Sequence, residues 1–285
     1  MTFKNLLLAL TTYPEATPVP AVRRAVGLAK AFNARMSAMA CEVHIRPTGR
    51  FEFLANAMLD VPALAAAETK KSANNADALL TAFETEAKAL GVFGERLVTR
   101  GMPAQVPELF VKEARMSDMA VVPIPAGDYV DRWTAETLIF ESGHPALVFD
   151  ASEDVAAPSS IERVVVAWDG SRTAARALRD SLPALVGAKA VTVFCVSEKK
   201  KGGAEALDVD RLVAHLALHG VTAKAHLDQA GGGDIAAILR DHVKQERADL
   251  LVMGAYGHSK LREFVLGGVT HSMLAHPPVP LLLSH

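Results

Sequence analysis

The chain has 285 residues, 50% of them hydrophobic, with a formal net charge of −2 and 2 cysteines. That length suits one large domain or two ordinary ones; the near-neutral charge gives no electrostatic argument for nucleic acid or an anionic membrane surface, and so few cysteines do not make a disulfide scaffold, a reducing compartment being the easier reading. No apolar stretch reaches the ~18 residues needed to span a bilayer, and the run Leu6–Leu10 is preceded by one charge and followed by no small-residue cleavage site, so the expectation is a soluble, cytoplasmic protein without a signal peptide.

In chain order, Lys4–Leu10 reads as a buried strand and Val19–Phe32 as a helix with Val22, Val26, Leu28 and Ala29 on its apolar side. Met36–Val43, around Cys41, is a second strand. Residues 46–71 read as an insertion, with Phe51, Phe53, Leu54, Met58 and Leu59 among polar residues. A helix over Ser72–Leu90 follows, stopped by Gly91. Then come a strand at Glu95–Thr99, a glycine turn, a helix at Ala104–Ala114, a fourth strand after Ser117-Asp118, and a fifth at Ala146–Phe149. Residues 151–160 are small, polar and proline-containing, as a boundary should be.

The same series then repeats. A strand at Arg163–Trp168 leads to a helix at Arg172–Leu185, capped by Ser171, and a strand at Ala190–Val196 around Cys195. After a short polar run come a helix at Asp208–His219 stopped by Gly220, a strand at Thr222–Leu227, and a glycine turn before a helix at Ile235–Gln245. The last strands begin after Ala248-Asp249 and at Val279. Strands alternating with helices mean βαβ units, a parallel sheet and right-handed crossovers. The expected fold is α/β, as two tandem five-stranded parallel-sheet domains at 1–150 and 161–285. The two cysteines fall at matching positions of the repeat and read as small buried residues, not as a pair.

The stretch Ala248–Thr270 carries the chemistry. A short apolar run ends at Gly254, Gly257 follows, and Gly267-Gly268-Val269-Thr270 opens a helix. Strand, glycine loop and helix start in that order make a phosphate cradle, because glycine lets backbone come close and the first N–H groups of a helix face an anion. No G-K-[ST] follows, so this is not a Walker loop. The plainer account is that Gly254 ends a strand and the others relieve crowding. Asp169, in Trp168-Asp169-Gly170-Ser171, likewise has two readings: turn chemistry, or a ligand-orienting carboxylate at the carboxyl end of a strand.

The first half differs here. Aligning Asp118 with Asp249 sets Val122-Pro123-Ile124-Pro125-Ala126-Gly127-Asp128 against the loop, and Thr134–Thr137 against Gly267–Thr270. Prolines remove N–H donors, Asp128 and Asp131 add negative charge, and Leu10-Thr11-Thr12-Tyr13 has no aspartate. A phosphate would be poorly received. Among other candidates, His258, Lys260 and Arg262 lie in the glycine loop, where a cation would offset phosphate charge or simply face solvent. His215 and His219 share a helix face without a third ligand by spacing, and Lys199–Lys201 reads as a solvated loop. No G-x-S-x-G, H-E-x-x-H or C-x-x-C is present, and no general base stands out.

The G-x2-G-x9-G spacing, with Ala248–Gly254 as fourth strand and Pro278–Leu283 as closing fifth, resembles the universal stress protein family in its tandem two-domain form. The resemblance implies Rossmann-like domains of the HUP type, paired through their last strands as an internal pseudo-dimer, with a further homodimer left open. It implies an adenine nucleotide, ATP with Mg²⁺, on the C-terminal half, at Asp169, Val196, Gly254, Gly257, Gly267, Gly268 and Thr270. Gly268 departs from the family, which has Ser or Thr there; Thr270 lies two residues on. The implied role is a ligand-responsive stress-response regulator, with no nucleic-acid or membrane partner and at most slow ATP hydrolysis. Two other readings stand beside it. One is a nucleotide-independent interaction scaffold using the insertion and the degenerate first half. The other is an adenylating α/β hydrolase, for which no Ser-Gly-Gly run follows the first strand.

Overall fold

The computed structural model describes residues 2–46, 60–125, 128–152, 155–197, 209–231, 233–256 and 268–285. The first half runs β1 (Asn5–Leu10), α1 (Val19–Ala31), β2 (Arg35–Val43), α2 (Val61–Leu90), β3 (Phe93–Gly101), a 3₁₀ turn (Pro103–Gln105) leading into α3 (Val106–Ala114), β4 (Met119–Ile124), α4 (Tyr129–Glu141) and β5 (Ala146–Asp150). The second runs β6 (Arg163–Ala167), α5 (Arg172–Leu185), β7 (Ala190–Ser197), α6 (Val209–Leu218), β8 (Ala223–Gln229), α7 (Ile235–Gln245), β9 (Leu250–Gly254), α8 (Gly268–Ala275) and β10 (Leu281–Ser284).

All ten strands join one sheet, in the order β3-β2-β1-β4-β5-β10-β9-β6-β7-β8. Each half therefore has the same internal order, and the two meet through their last strands. β5 and β10 pair antiparallel, with Leu147 opposite Leu282, and every other pairing is parallel. The carboxyl ends of the strands consequently point one way in the first half and the opposite way in the second. The fold is α/β with a mostly parallel sheet, as the strand–helix alternation leads one to expect.

The central strands are apolar on both faces because helices cover both. Leu6, Leu8 and Leu10 of β1 face a core built with α1, α2, α5 and α6, whereas Leu7 and Ala9 face one built with α3, α4, α7 and α8. Pro123 sits inside β4 without breaking the sheet. The ladder from β4 to β1 ends at Val121, while that to β5 continues through Pro123 and Ile124. Cys41 and Cys195 are buried, free thiols at corresponding places in β2 and β7. Burial pushes both up to about 11, which leaves them unreactive as thiolates.

One element departs from the sequence reading. The helix expected from Ser72 begins at Val61, with the Asp60 side chain accepting the Ala63 N–H at 3.1 Å as its cap. The alanine-rich stretch that looked like insertion is good helix-forming sequence. Ser72 lies inside this helix, fully buried, and its hydroxyl accepts the Val43 N–H at 2.8 Å. Phe51, Phe53, Leu54, Met58 and Leu59, on which the scaffold reading leans, lie outside the described residues. Among the described residues no helix is long and apolar enough to cross a membrane.

Candidate functional site

In the second half the chain leaves β6 toward β7 on one side, and β9 returns on the other side of β6. Such a switch point opens a crevice beyond the carboxyl ends of the two strands. The turn after β6 forms its first wall. Trp168 N–H donates to the Phe194 carbonyl at 2.9 Å, and Gly170 turns the chain at φ 73°. Asp169 is exposed, its Oδ1 accepting the Ser171 N–H at 2.9 Å. Ser171 Oγ in turn caps α5 by accepting the Ala174 N–H at 3.1 Å. Turn chemistry at Asp169 is thus real, and it fixes the carboxylate at the crevice mouth. Asp169 also lies near enough to Cys195 to add to the burial that raises that thiol. Val196, the next residue of β7, is half-buried.

Gly254 ends β9 directly beneath the start of α5. A side-chain carbon there would come within 2.5 Å of the Thr173 carbonyl carbon and closer still to the Ala174 nitrogen. Only glycine permits this approach, so Gly254 is reserved for helix–strand packing. Two residues later Tyr256 adopts φ 59°, in the left-handed region. Three contacts hold it. Its N–H donates to Thr270 Oγ1 at 3.2 Å, its hydroxyl to Glu136 Oε1 at 3.1 Å, and its ring stacks on Phe140 at 4.8 Å between centroids. Burial first, then the Glu136 carboxylate, push the phenol above its ordinary value. Glu136 and Phe140 belong to α4 of the first half, so the start of the glycine loop is anchored across the molecular midline. Sequence reasoning missed Tyr256, because nothing in its neighbours signals a positive φ.

Thr270 is buried in α8 and engaged with Tyr256, which makes it an anchor of the loop. Gly268, the first residue of α8, is exposed, and a side-chain carbon added to it would meet nothing within 4 Å among the described residues. Gly257 and Gly267, with His258, Lys260 and Arg262, lie outside the described residues. The structure thus gathers Asp169, Val196, Gly254, Gly268 and Thr270 at one end of one half-sheet.

The first half treats the equivalent place differently. Asp128 Oδ1 accepts the N–H groups of Val130 and Asp131 at 2.7 and 3.1 Å, so a carboxylate of the chain itself occupies the N-terminus of α4. Asp131 is buried and takes a hydrogen bond from Thr11 Oγ1. The core residues Ala135, Leu138 and Ile139 match Thr270, Met273 and Leu274 in burial pattern, two residues off the alignment drawn from sequence. Elsewhere, the His215 and His219 rings meet edge to face at 4.9 Å, and among the described residues no group of three His, Cys, Asp or Glu could hold a metal ion.

The sequence of residues 160–285, which carries this crevice, matches the universal stress protein family. This half of the chain is a universal stress protein domain. Solved structures extend the likeness of fold to the whole length. A universal stress protein from Archaeoglobus fulgidus DSM 4304 superposes with a TM-score of 0.69 at 15% identity, over 98% of this chain and 95% of its own. A protein of Pseudomonas aeruginosa UCBPP-PA14 assigned to the same family gives 0.56 at 12% identity, over 99% and 93%. A functionally unknown protein of Pseudomonas aeruginosa PAO1 gives 0.54 at 11%, over 99% and 92%. No curated protein matches the chain. The universal stress protein domain thus sits in a ten-stranded sheet whose other half shares its strand order but fills the corresponding helix terminus with Asp128.

Proposed function

We propose that the universal stress protein domain at 161–285 binds an adenine nucleotide, ATP with Mg²⁺, and that residues 1–150 form a degenerate domain of the same kind. The protein acts in the cytoplasm as a ligand-responsive regulator in the stress response. The observation that carries this reading is the contrast between the two helix starts. Asp128 fills that of α4, whereas α8 begins at exposed Gly268, where a side-chain carbon would meet none of the described residues within 4 Å. Phosphates would rest on the backbone N–H groups of Gly257, Gly267 and Gly268 and on the start of α8. Asp169 would accept hydrogen bonds from ribose or base, and the backbone near Val196 would flank the base. Gly254 serves the site by letting α5 close on β9, and Thr270 by holding Tyr256. Mg²⁺ would offset triphosphate charge. Asp169, committed to the Ser171 N–H, is a positioning group rather than a base, so hydrolysis is at most slow and secondary.

Thermal unfolding with and without millimolar Mg-ATP tests this. A site filled to about 100 times its Kd stabilises the fold by about 2.7 kcal/mol. Gly268→Glu places a carboxylate where phosphate would sit, in a position that suits an acidic residue at a helix start. The variant is expected to fold normally and to lose the nucleotide-induced shift. Equal shifts in both proteins, or none in the parent, would refute the site.

A further inference from the structure

The crevice of the first half is a cavity of about 440 Å³. It lies between the carboxyl ends of β1 and β2 and the starts of α3 and α4. Its walls are apolar: Leu10, Val43, Val106, Pro107, Val130 and Trp133 all line it. Among the described residues that line it, none carries a charge. The volume is within the range of small-molecule sites, and an apolar enclosure with a few fixed polar groups is their usual chemistry.

The polar groups at its floor are nearly all committed within the protein. Thr12 Oγ1 donates to the Cys41 carbonyl at 2.5 Å and lies 2.7 Å from Ser72 Oγ. Thr11 Oγ1 is bonded to Asp131, and the Thr11 N–H donates to Thr17 Oγ1 at 3.0 Å. Two hydroxyls that line the cavity, those of Tyr13 and of Thr134 (2% exposed), make no hydrogen bond among the described residues. A hydroxyl that faces the cavity can donate to or accept from a polar group of a ligand. Anions are disfavoured here, because Asp128 already holds the N–H groups of α4 and a charge without a partner in an apolar enclosure is expensive.

We propose that this cavity binds an uncharged, largely apolar small molecule whose one polar group bonds to Thr134, so that the two halves of the chain take ligands of different chemistry. The site is independent of the nucleotide reading, since no residue is shared.

Two dyes with the same ring skeleton separate the outcomes: neutral N-phenyl-1-naphthylamine, and 1-anilinonaphthalene-8-sulfonate, which adds one sulfonate. Fluorescence titration of the full chain should show one neutral dye bound per chain, unaffected by Mg-ATP, with the sulfonate at least about tenfold weaker. Ala104→Trp, at an exposed position on the rim, and Val130→Phe, on the wall, should each weaken the neutral dye by about tenfold or more while the melting temperature stays near that of the parent. Thr134→Val should weaken it less. No binding, equal affinity for the two dyes, or binding untouched in both space-filling variants would overturn the proposal.

Discussion

Asp131→Asn should make the protein more stable than its parent at pH 8 and remove most of that advantage at pH 5. Asp131 is 3% exposed, and its carboxyl is pushed up from 3.8 to about 7, chiefly by burial, with neighbouring Asp128 adding to the rise and the Thr11 hydrogen bond opposing it. Between those two values the folded state holds a proton that the unfolded chain releases. Stability from this group is therefore complete below about pH 4 and is lost as pH rises through about 7. The full loss is on the order of 4 kcal/mol, an upper bound because water and relaxation soften the penalty of a buried carboxylate. Asparagine keeps the oxygen that accepts from Thr11 and does not ionise. Any cost of its extra amide N–H groups applies equally at both pH values, so the change in the difference isolates the carboxyl. Urea unfolding of the two proteins at pH 5 and pH 8 measures it. A stability gap that does not move with pH would show that Asp131 is ionised, or well solvated, in the folded protein.

That carboxyl also shows where sequence reasoning stopped. Runs such as Leu6–Leu10 and Leu250–Met253 are apolar without alternation, and glycine or proline bounds most of the elements between them. The parallel sheet could be anticipated from these features, and the β5–β10 pairing only from the resemblance to the universal stress protein family. The start of α2 was missed because alanines have no marked face: they read as insertion until Asp60 is seen to cap them. Asp128 and Asp131 were legible only as negative charge. That one of them fills the helix terminus and the other is buried against Thr11 depends on α4 beginning at Tyr129, a boundary that the sequence alone leaves uncertain by several residues. The left-handed Tyr256, held from two directions by Thr270 and by Glu136 and Phe140, has no local signature because one of its partners is about half the chain away. Tertiary contacts, not propensity, decide it.

Gly254→Val should be among the most destabilising single changes in the second half. The added carbons meet main chain, namely the Thr173 carbonyl carbon and the Ala174 nitrogen, with the Thr173 hydroxyl oxygen at 2.7 Å, so no flexible side chain can swing aside. Relief requires α5 to lift from β9. The Asp169–Ser171 turn, which is bonded to the first turn of that helix, must move with it. Overpacking of this kind costs about 1–3 kcal/mol, and more where the obstacle is backbone. Gly268→Ala, by comparison, adds a carbon that meets none of the described residues within 4 Å and should stay within about 0.5 kcal/mol of the parent. Melting curves of the two variants beside the parent make the comparison, and a Gly254→Val protein as stable as Gly268→Ala would show that the start of α5 is free to yield. The pair also separates two uses of glycine within one motif. A glycine kept for packing loses stability on substitution whether or not a nucleotide is present. A glycine kept for a ligand, as proposed for Gly268, loses only the stabilisation that the nucleotide confers.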